Sequence, residues 1–307
     1  MKTLLTRATG FVGSAILEAL EPENIRVLGR SKPSSVADFF SAEIESDNDY
    51  KEALSDVSVI IHSAARAHIM DDQSEDPLSA YREVNTFGTL NLARQAAAAG
   101  VKRFIFLSSI KVQGEETALD RPYFYDEAYS PQDDYAQSKV EAEVGLLELS
   151  LETGMEIVII RPPLVYGLGV KANFAAMMKM AAKNLPLPLG AIRNKRSLVF
   201  IDNLVDLIVT CIDHPNAANK IFLVSDDHDV STTELLTELT LAAGKKSRLI
   251  PMPMKLIQIV ATLLGKKAIA DRLCGSLQVS ISHTKETLGW QPPVSFEQGI
   301  ARCFNKV

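Results

Sequence analysis

Four short, unbroken apolar runs constrain this chain more than any other feature of it. "IRVLGR" (Ile25 to Arg30), "SVIIHSAA" (Ser58 to Ala65), "RFIFLSS" (Arg103 to Ser109) and "EIVIIRPP" (Glu156 to Pro163) carry apolar side chains at successive positions instead of alternating ones. A strand of that kind has both faces buried, as happens when helices cover a parallel sheet on each side. The intervening segments supply such helices. "SAILEAL", "LNLARQAAAAG" and "YAQSKVEAEVGLLELSLETG" space their apolar residues at helical intervals, and Gly100 and Gly154 close the last two. Strand and helix in alternation predict an α/β fold, a doubly wound parallel sheet.

The opening "MKTLL" reads as a first strand, because Thr6 and Arg7 cut its apolar stretch far short of a signal-peptide core. After about residue 165 the rhythm changes to longer helical stretches and proline-rich joints, "NLPLPLG" and "IPMPM". Residues 1–165 are therefore expected to form the sheet domain and residues 166–307 mainly a smaller C-terminal lobe, with a return of the chain to the sheet left open. In that lobe "LIQIVATLLG" (Leu256 to Gly265) is too short for the about 20 residues of a bilayer span, and it is expected to be a buried helix. No repeat or low-complexity linker is visible.

Charge and cysteine content exclude several classes of function. The net charge of −6 and pI near 5.5 argue against a nucleic-acid partner, a general anionic-membrane partner or membrane insertion. Basic residues must matter locally, if at all. Cys211, Cys274 and Cys303 are odd in number and far apart, with no paired metal-ligand spacing, which fits a reducing cytoplasm and no metal.

"TRATGFVG" (Thr6 to Gly13) stands where the first strand gives way to the first helix, so Gly10 and Gly13 occupy the place where backbone approaches a phosphate and amide N–H groups point at it. Glycines also occur in ordinary strand-to-helix turns, and the rest of the chain decides between the two. The deciding feature is Ser109 followed by "DYAQSK", in which Tyr135 and Lys139 lie one helical turn apart and face the same way. An ammonium beside a phenol favours the phenolate and would pull its pKa down from near 10, so that the tyrosine exchanges a proton with a hydroxyl. A serine at a neighbouring strand end can bond the same oxygen.

"TRATGFVG", "HSAA", "VNTFGTLNL", "FLSS", "YAQSK" and "RPPLVYG", in this order, resemble the extended short-chain dehydrogenase/reductases, specifically the NAD-dependent epimerase/dehydratase group that acts on nucleotide sugars. The resemblance covers essentially the whole chain. "ARAHIMDD" and "LSSIKVQGE" look closest to the branch attached to surface-polysaccharide gene sets. It implies a Rossmann-type sheet, a UDP-hexose or UDP-N-acetylhexosamine substrate, and Ser109, Tyr135 and Lys139 as the catalytic set, with Lys139 also holding the nicotinamide ribose. Gly10, Phe11, Val12 and Gly13 would contact the pyrophosphate. Ala64, Ala65 and Pro162 would lie along the cofactor, Glu43 and Ile44 would meet adenine, and Asn85 would be a polar group near the active site or a satisfied helix residue. Asn173, Arg196 and Arg272 would hold the substrate diphosphate, a task suited to guanidinium groups, although the arginines could equally form surface salt bridges. The helices around "TLNLARQAAAAG" and "YAQSKVEAEVGLLELS" match those that pair across a two-fold axis, so a homodimer is expected, with Leu146, Leu147 and Leu149 as excess apolar residues.

Three departures from the family pattern bear on activity. Ile110-Lys111 stands where sugar 4,6-dehydratases carry an acid pair, which leaves hydride transfer at sugar C4, as a 4-epimerase or a 4-ketoreductase. Arg30 and Ser31 follow the second strand where an acid would bond the adenosine ribose; they offer donors to a 2′-phosphate, or Arg30 stays solvated or stacks on adenine, so the cofactor is written as NAD or NADP. Arg7 replaces the first glycine of the turn. It weakens cofactor binding if its φ is positive, or it helps neutralise the pyrophosphate, or its backbone stays in a region open to any residue. Two other readings remain open at this point: a reductase of a non-sugar carbonyl, and a catalytically idle nucleotide-binding regulator.

Overall fold

Each unbroken run became a parallel strand whose neighbouring residues serve opposite layers. The computed structural model describes residues 1–66, 76–170 and 172–304, without the side chains of residues 172 and 173. Its strands are β1 (Lys2–Thr6), β2 (Ile25–Gly29), β3 (Phe39–Ser41), β4 (Val57–His62), β5 (Arg103–Leu107), β6 (Glu156–Arg161), β7 (Leu164–Tyr166), β8 (Arg196–Phe200), β9 (Lys220–Leu223) and β10 (Asp229–Val230). Its helices are α1 (Phe11–Ala19), α2 (Pro77–Arg82), α3 (Thr89–Ala98), α4 (Asp134–Thr153), α5 (Ala172–Lys183), α6 (Ile201–Asp213), α7 (Thr232–Ala242), α8 (Met254–Leu263), α9 (Lys267–Cys274), α10 (Ser282–Leu288) and α11 (Phe296–Arg302).

Seven strands form the main sheet in the order β3-β2-β1-β4-β5-β6-β9, every pairing parallel. Leu5, Val59, Ile61, Val158 and Ile160 face one core layer, shared with Ile16 and Leu204. Their sequence neighbours Leu4, Ile60, Ile157 and Ile159 face the other, shared with Leu92, Ala96, Ala142 and Leu146. That division is the physical reason the runs do not alternate. The strand order reverses between β1 and β4, and at such a switch point the carboxyl ends of the strands open a crevice.

Beyond residue 165 the chain serves both lobes. β9 returns to the main sheet beside β6, and α6 packs on α1. The remainder builds a second sheet, β10-β8-β7, and a small cluster around Leu189, Ile192, Leu236 and Cys274. The expected buried helix at Leu256–Gly265 is corrected here: α8 forms, but none of its residues is buried. Met254 and Ile257 rest against the small cluster, whereas Leu256, Ile259, Val260 and Leu263 point to solvent.

One buried ion pair joins sheet to helix directly below the crevice. Arg161, at the end of β6, donates from Nε and Nη2 to Glu143 of α4, with the shortest contact at 2.6 Å and both residues buried. Tyr129 and Ser108 donate hydroxyl bonds to the same carboxylate. Removing one partner of such a pair strands the other charge in a dry site, at a cost of roughly 3–5 kcal/mol. Arg161→Met should lose about that much unfolding free energy in urea denaturation, far more than a surface arginine substitution.

Candidate active site

The site begins at the turn from β1 into α1. Gly10 donates its N–H to the Arg7 carbonyl at 3.0 Å, and a Cβ at Gly13 would lie 2.2 Å from the same carbonyl oxygen. Only glycine at 13 lets the helix start so close under the strand, which leaves its first amides directed into the crevice as an anion cradle. Arg7 has φ +55, so the backbone retains the left-handed geometry that the usual glycine would supply. For a residue with a Cβ that costs about 1–2 kcal/mol. The Arg7 side chain folds over Gly10 and donates to the Ala65 carbonyl, spanning the crevice from the end of β1 to the end of β4. Thr6 closes the same gap from below, its hydroxyl oxygen accepting from the N–H groups of Ser63 and Ala64 at 3.1 and 3.0 Å.

Tyr135 and Lys139 stand on the first turns of α4, whose start is fixed by the Asp133 side chain accepting from Ala136 N at 2.7 Å. Lys139 is wholly buried, 4.0 Å above the Phe106 ring, and its Nζ is a buried nitrogen with no hydrogen-bond partner among the described residues. Burial lowers its pKa to about 7, opposed by the Glu143 carboxylate and reinforced by Arg7. Tyr135 meets Tyr81 edge-on, and burial pushes its phenol up to about 12, with Asp133 adding to the rise and Arg7 pulling back. The expectation that Lys139 draws the Tyr135 phenol downward is therefore corrected. Burial of the phenol prevails, and the cation that opposes it is Arg7. Ser109 follows β5 at its carboxyl end, half-buried, its hydroxyl oxygen accepting from Lys111 N at 3.3 Å. At the positions of the dehydratase acid pair, Ile110 is core, and Lys111 pairs with Asp133 and Glu115 at 2.6 and 2.5 Å.

The remaining expected residues divide into placed and unplaced. Arg30 and Ser31 are exposed just beyond β2, and Arg30 is near enough to lower the Arg7 pKa, after the larger effect of burial. Ile44 is buried and Glu43 exposed, and the Glu43 carbonyl accepts from Tyr50 Oη at 2.9 Å. Pro162 accepts from Ile110 N at 3.0 Å, which joins the carboxyl ends of β5 and β6. Phe11 and Val12 open α1 and pack partly against the core. Asn85 sits in a π-helical segment, Glu83–Gly88, that links α2 to α3. Its amide holds the backbone of Arg66 on both sides, at 2.8 and 3.1 Å, and donates to Ser138 at 3.0 Å, so it fixes the loop after β4 against α4. The Asn173 side chain lies outside the described residues.

Arg196 and Arg272 are brought together. Arg196, at the start of β8, donates from Nη1 to the backbone carbonyls of Arg272 and Gly275, each at 3.1 Å, and burial lowers its pKa. Neither arginine forms an ion pair with another described residue, so the salt-bridge alternative does not hold there. Leu146 and Leu149 are buried within the chain and Leu147 packs partly against the same core, which corrects their reading as excess surface; Phe87, Val144 and Leu151 are the exposed apolar residues of these helices.

A family model described as the NAD dependent epimerase/dehydratase family matches residues 3–225. The chain belongs to that family. It is 51% identical to a UDP-glucose 4-epimerase of Vibrio cholerae over 303 residues, 97% of this chain and 92% of the relative. Among solved structures, a UDP-glucuronic acid 4-epimerase from Bacillus cereus in complex with NAD superposes with a TM-score of 0.78 at 20% identity, covering 99% of this chain and 97% of that one. A UDP-N-acetylglucosamine 4-epimerase from Bacillus cereus gives 0.79 at 19% identity, covering 99% and 98%. The chain is thus an extended short-chain dehydrogenase/reductase enzyme with a nicotinamide dinucleotide cofactor. Two features fit that cofactor: the close strand-to-helix turn that only glycine at 13 allows, and the Lys139 ammonium beside Tyr135, which has no hydrogen-bond partner among the described residues.

Glu143 and Phe106 were not singled out from the sequence. Glu143 follows Lys139 by four residues, just as Lys139 follows Tyr135, so the same spacing signals a third member of that face.

The buried ammonium gives the ligand-free protein a defined pH response. Lys139 releases its proton near pH 7 when folded but near 10.5 when unfolded, so within that interval the unfolded chain binds more protons and stability rises with pH. Lys139→Met should abolish this rise. The difference in unfolding free energy between the two proteins should be constant below about pH 7 and shift steadily above it, measured by urea denaturation at a series of pH values.

Proposed function

We propose that the chain is a UDP-hexose 4-epimerase that uses Tyr135 and Lys139 at the carboxyl edge of the sheet. The carrying observation is the dry, unpartnered Lys139 ammonium one turn from Tyr135 at the switch-point crevice, and the identity to the Vibrio cholerae UDP-glucose 4-epimerase supports the substrate. A bound nicotinamide ring supplies a hydride acceptor and donor for sugar C4. Lys139 is placed to hold the ribose hydroxyls of that cofactor, and the α1 amides with Arg7 to meet its diphosphate. Tyr135 takes the C4 hydroxyl proton as hydride leaves and returns it to the rebuilt hydroxyl. Its high pKa keeps the phenol protonated, the form that returns the proton, and requires positive charge nearby for the opposite step. Ser109 is assigned to bond the same sugar oxygen. Arg196 and Arg272, with Asn173, are assigned to the UDP diphosphate, which anchors the sugar at a distance from the reacting carbon.

The same residues would serve a 4-ketoreductase, and the cofactor balance separates the two. Interconversion of UDP-glucose and UDP-galactose, followed by NMR without net NADH consumption, is the outcome expected here. Stoichiometric NADH or NADPH oxidation on a UDP-4-keto sugar would assign the reductase instead. A role in surface-polysaccharide precursor synthesis in the cytoplasm, and a homodimer formed through α3 and α4 with Phe87, Val144 and Leu151 at its surface, complete the proposal.

Tyr135→Phe should lower turnover by at least ~10²-fold while retaining the fold, the usual scale for lost general acid–base catalysis. Arg272→Ala should raise KM for the UDP-sugar about tenfold or more, in keeping with the ~1.5–3 kcal/mol of a charge-assisted hydrogen bond. Full turnover by the tyrosine variant on UDP-glucose would remove the assigned mechanism.

A further inference from the structure

α8 is apolar on the side that touches the protein and apolar on the side that does not. Leu256, Ile259, Val260 and Leu263 recur at helical spacing on its outer face, Leu264 continues the patch, and Leu263 is 81% exposed. Lys255, Gln258 and Thr262 form a polar stripe along one edge, and the exposed apolar face beside it is of the kind that marks a docking surface. The inner face is already occupied by the small cluster of the C-terminal lobe, so the outer face requires a separate partner.

The chemistry of the rim says which partner. Between residues 241 and 275 the chain carries six lysines and arginines besides Arg272 and a single acid, Asp271, which pairs with Lys267 at 2.6 Å, within a protein whose net charge is −6. Lys245, Lys246 and Arg248 precede α8, Lys255 lies on it, and Lys266 and Lys267 follow, all exposed. At about 1.5 Å per residue α8 is roughly 15 Å long, far too short to cross a bilayer. A short helix with an outward apolar face and a cationic rim matches the interfacial helices that lie in the headgroup region of anionic membranes.

We infer that α8 and the start of α9 dock this protein peripherally on an anionic lipid bilayer, with Leu256, Ile259, Val260 and Leu263 inserted among the headgroups and the lysine rim facing the lipid charge. The overall negative charge excludes a general membrane affinity, and this local reversal of sign confines binding to one face. None of the residues proposed for the lipid contact is among those assigned to the site, so docking is compatible with turnover in solution and does not depend on which UDP-sugar is used.

Cosedimentation of the full chain with vesicles of phosphatidylglycerol in phosphatidylcholine tests it. The wild-type protein should bind these vesicles at low salt, lose binding as salt is added, and ignore vesicles of phosphatidylcholine alone. Ile259→Glu with Leu263→Glu, and separately Lys266→Glu with Lys267→Glu, should each cut the bound fraction about tenfold or more while thermal unfolding and turnover of UDP-glucose in solution stay at wild-type values. Absence of binding to the anionic vesicles at low salt would overturn the inference. So would a dimer mass in light scattering that falls to the monomer in the Ile259→Glu, Leu263→Glu protein, since a second copy would then cover the face.

Discussion

The Lys139 ammonium is withdrawn wholly from water, and the surroundings of the site are arranged around that charge. Burying a lone cation is expensive, and it is tolerated only where nearby groups supply opposite charge or polarisable surface. Phe106 presents its ring face at 4.0 Å, and the Glu143 carboxylate adds a stabilising field from the next turn of α4. Glu143 is itself buried and needs Arg161, which in turn donates to the Tyr125 carbonyl at 3.0 Å and stacks over Tyr129. His62, also buried, is kept neutral, its pKa lowered to about 3 by burial and then by the lysine, and is satisfied by Thr6 and Thr89 at 3.2 and 3.0 Å. The polar residues beneath the crevice therefore form one connected set running from β1 through β4 and β5 to β6.

That set sits at the switch point of the main sheet. The reversal of strand order between β1 and β4 separates the loops that follow them, and Thr6 and Asn85 hold the second loop in position by bonding its backbone. Arg7 then lies across the opening. Its left-handed backbone stores about 1–2 kcal/mol of strain, and its guanidinium brings a second positive charge, beside that of Lys139, near Tyr135. A glycine at the same position would have no strain and no charge. With Lys139 partly deprotonated near neutral pH in the ligand-free site, Arg7 is the cation that stays charged and acts on the Tyr135 phenol.

Features set by local geometry were legible in the sequence, and features set by packing partners were not. The strands could be read because a residue buried on either face must be apolar, and Leu4 with Leu5, or Ile60 with Ile61, show both faces filled. Tyr135 and Lys139 could be read because four residues make about one turn. Glu143 continues that spacing, but its partner Arg161 arrives from β6, and nothing local announces that the carboxylate will be buried. The direction of the Tyr135 shift was misread for a related reason. Residue spacing placed a cation beside the phenol, but the desolvation that outweighs it comes from tertiary packing. Leu146 and Leu149 against Val144 and Leu151, and Ile257 against Ile259, are apolar alike in the sequence; which face meets the core depends on the angle at which α4 and α8 settle.

The two arginines proposed for the diphosphate illustrate how a lobe with little core can still hold a side chain in place. The cluster around Leu189, Ile192, Leu236 and Cys274 is small, so the end of α9 is fixed by polar contacts instead. Asn194 donates to the carbonyls of Leu273 and Gly275 at 3.3 and 2.7 Å while accepting from Thr232 N at 2.9 Å, and the Thr232 hydroxyl donates to Leu273 as well. Arg196 adds bonds to the Arg272 and Gly275 carbonyls, placing a cation at the negative end of the helix dipole. One nitrogen of Arg196 is thereby committed to backbone, and its other donors are those the proposal assigns to a phosphate. Loss of the Arg196 guanidinium would then disturb Arg272 too, because the group proposed to meet the diphosphate also bonds the end of the helix that carries Arg272. In the proposed role the two arginines form a coupled clamp, and their substitutions would not add independently.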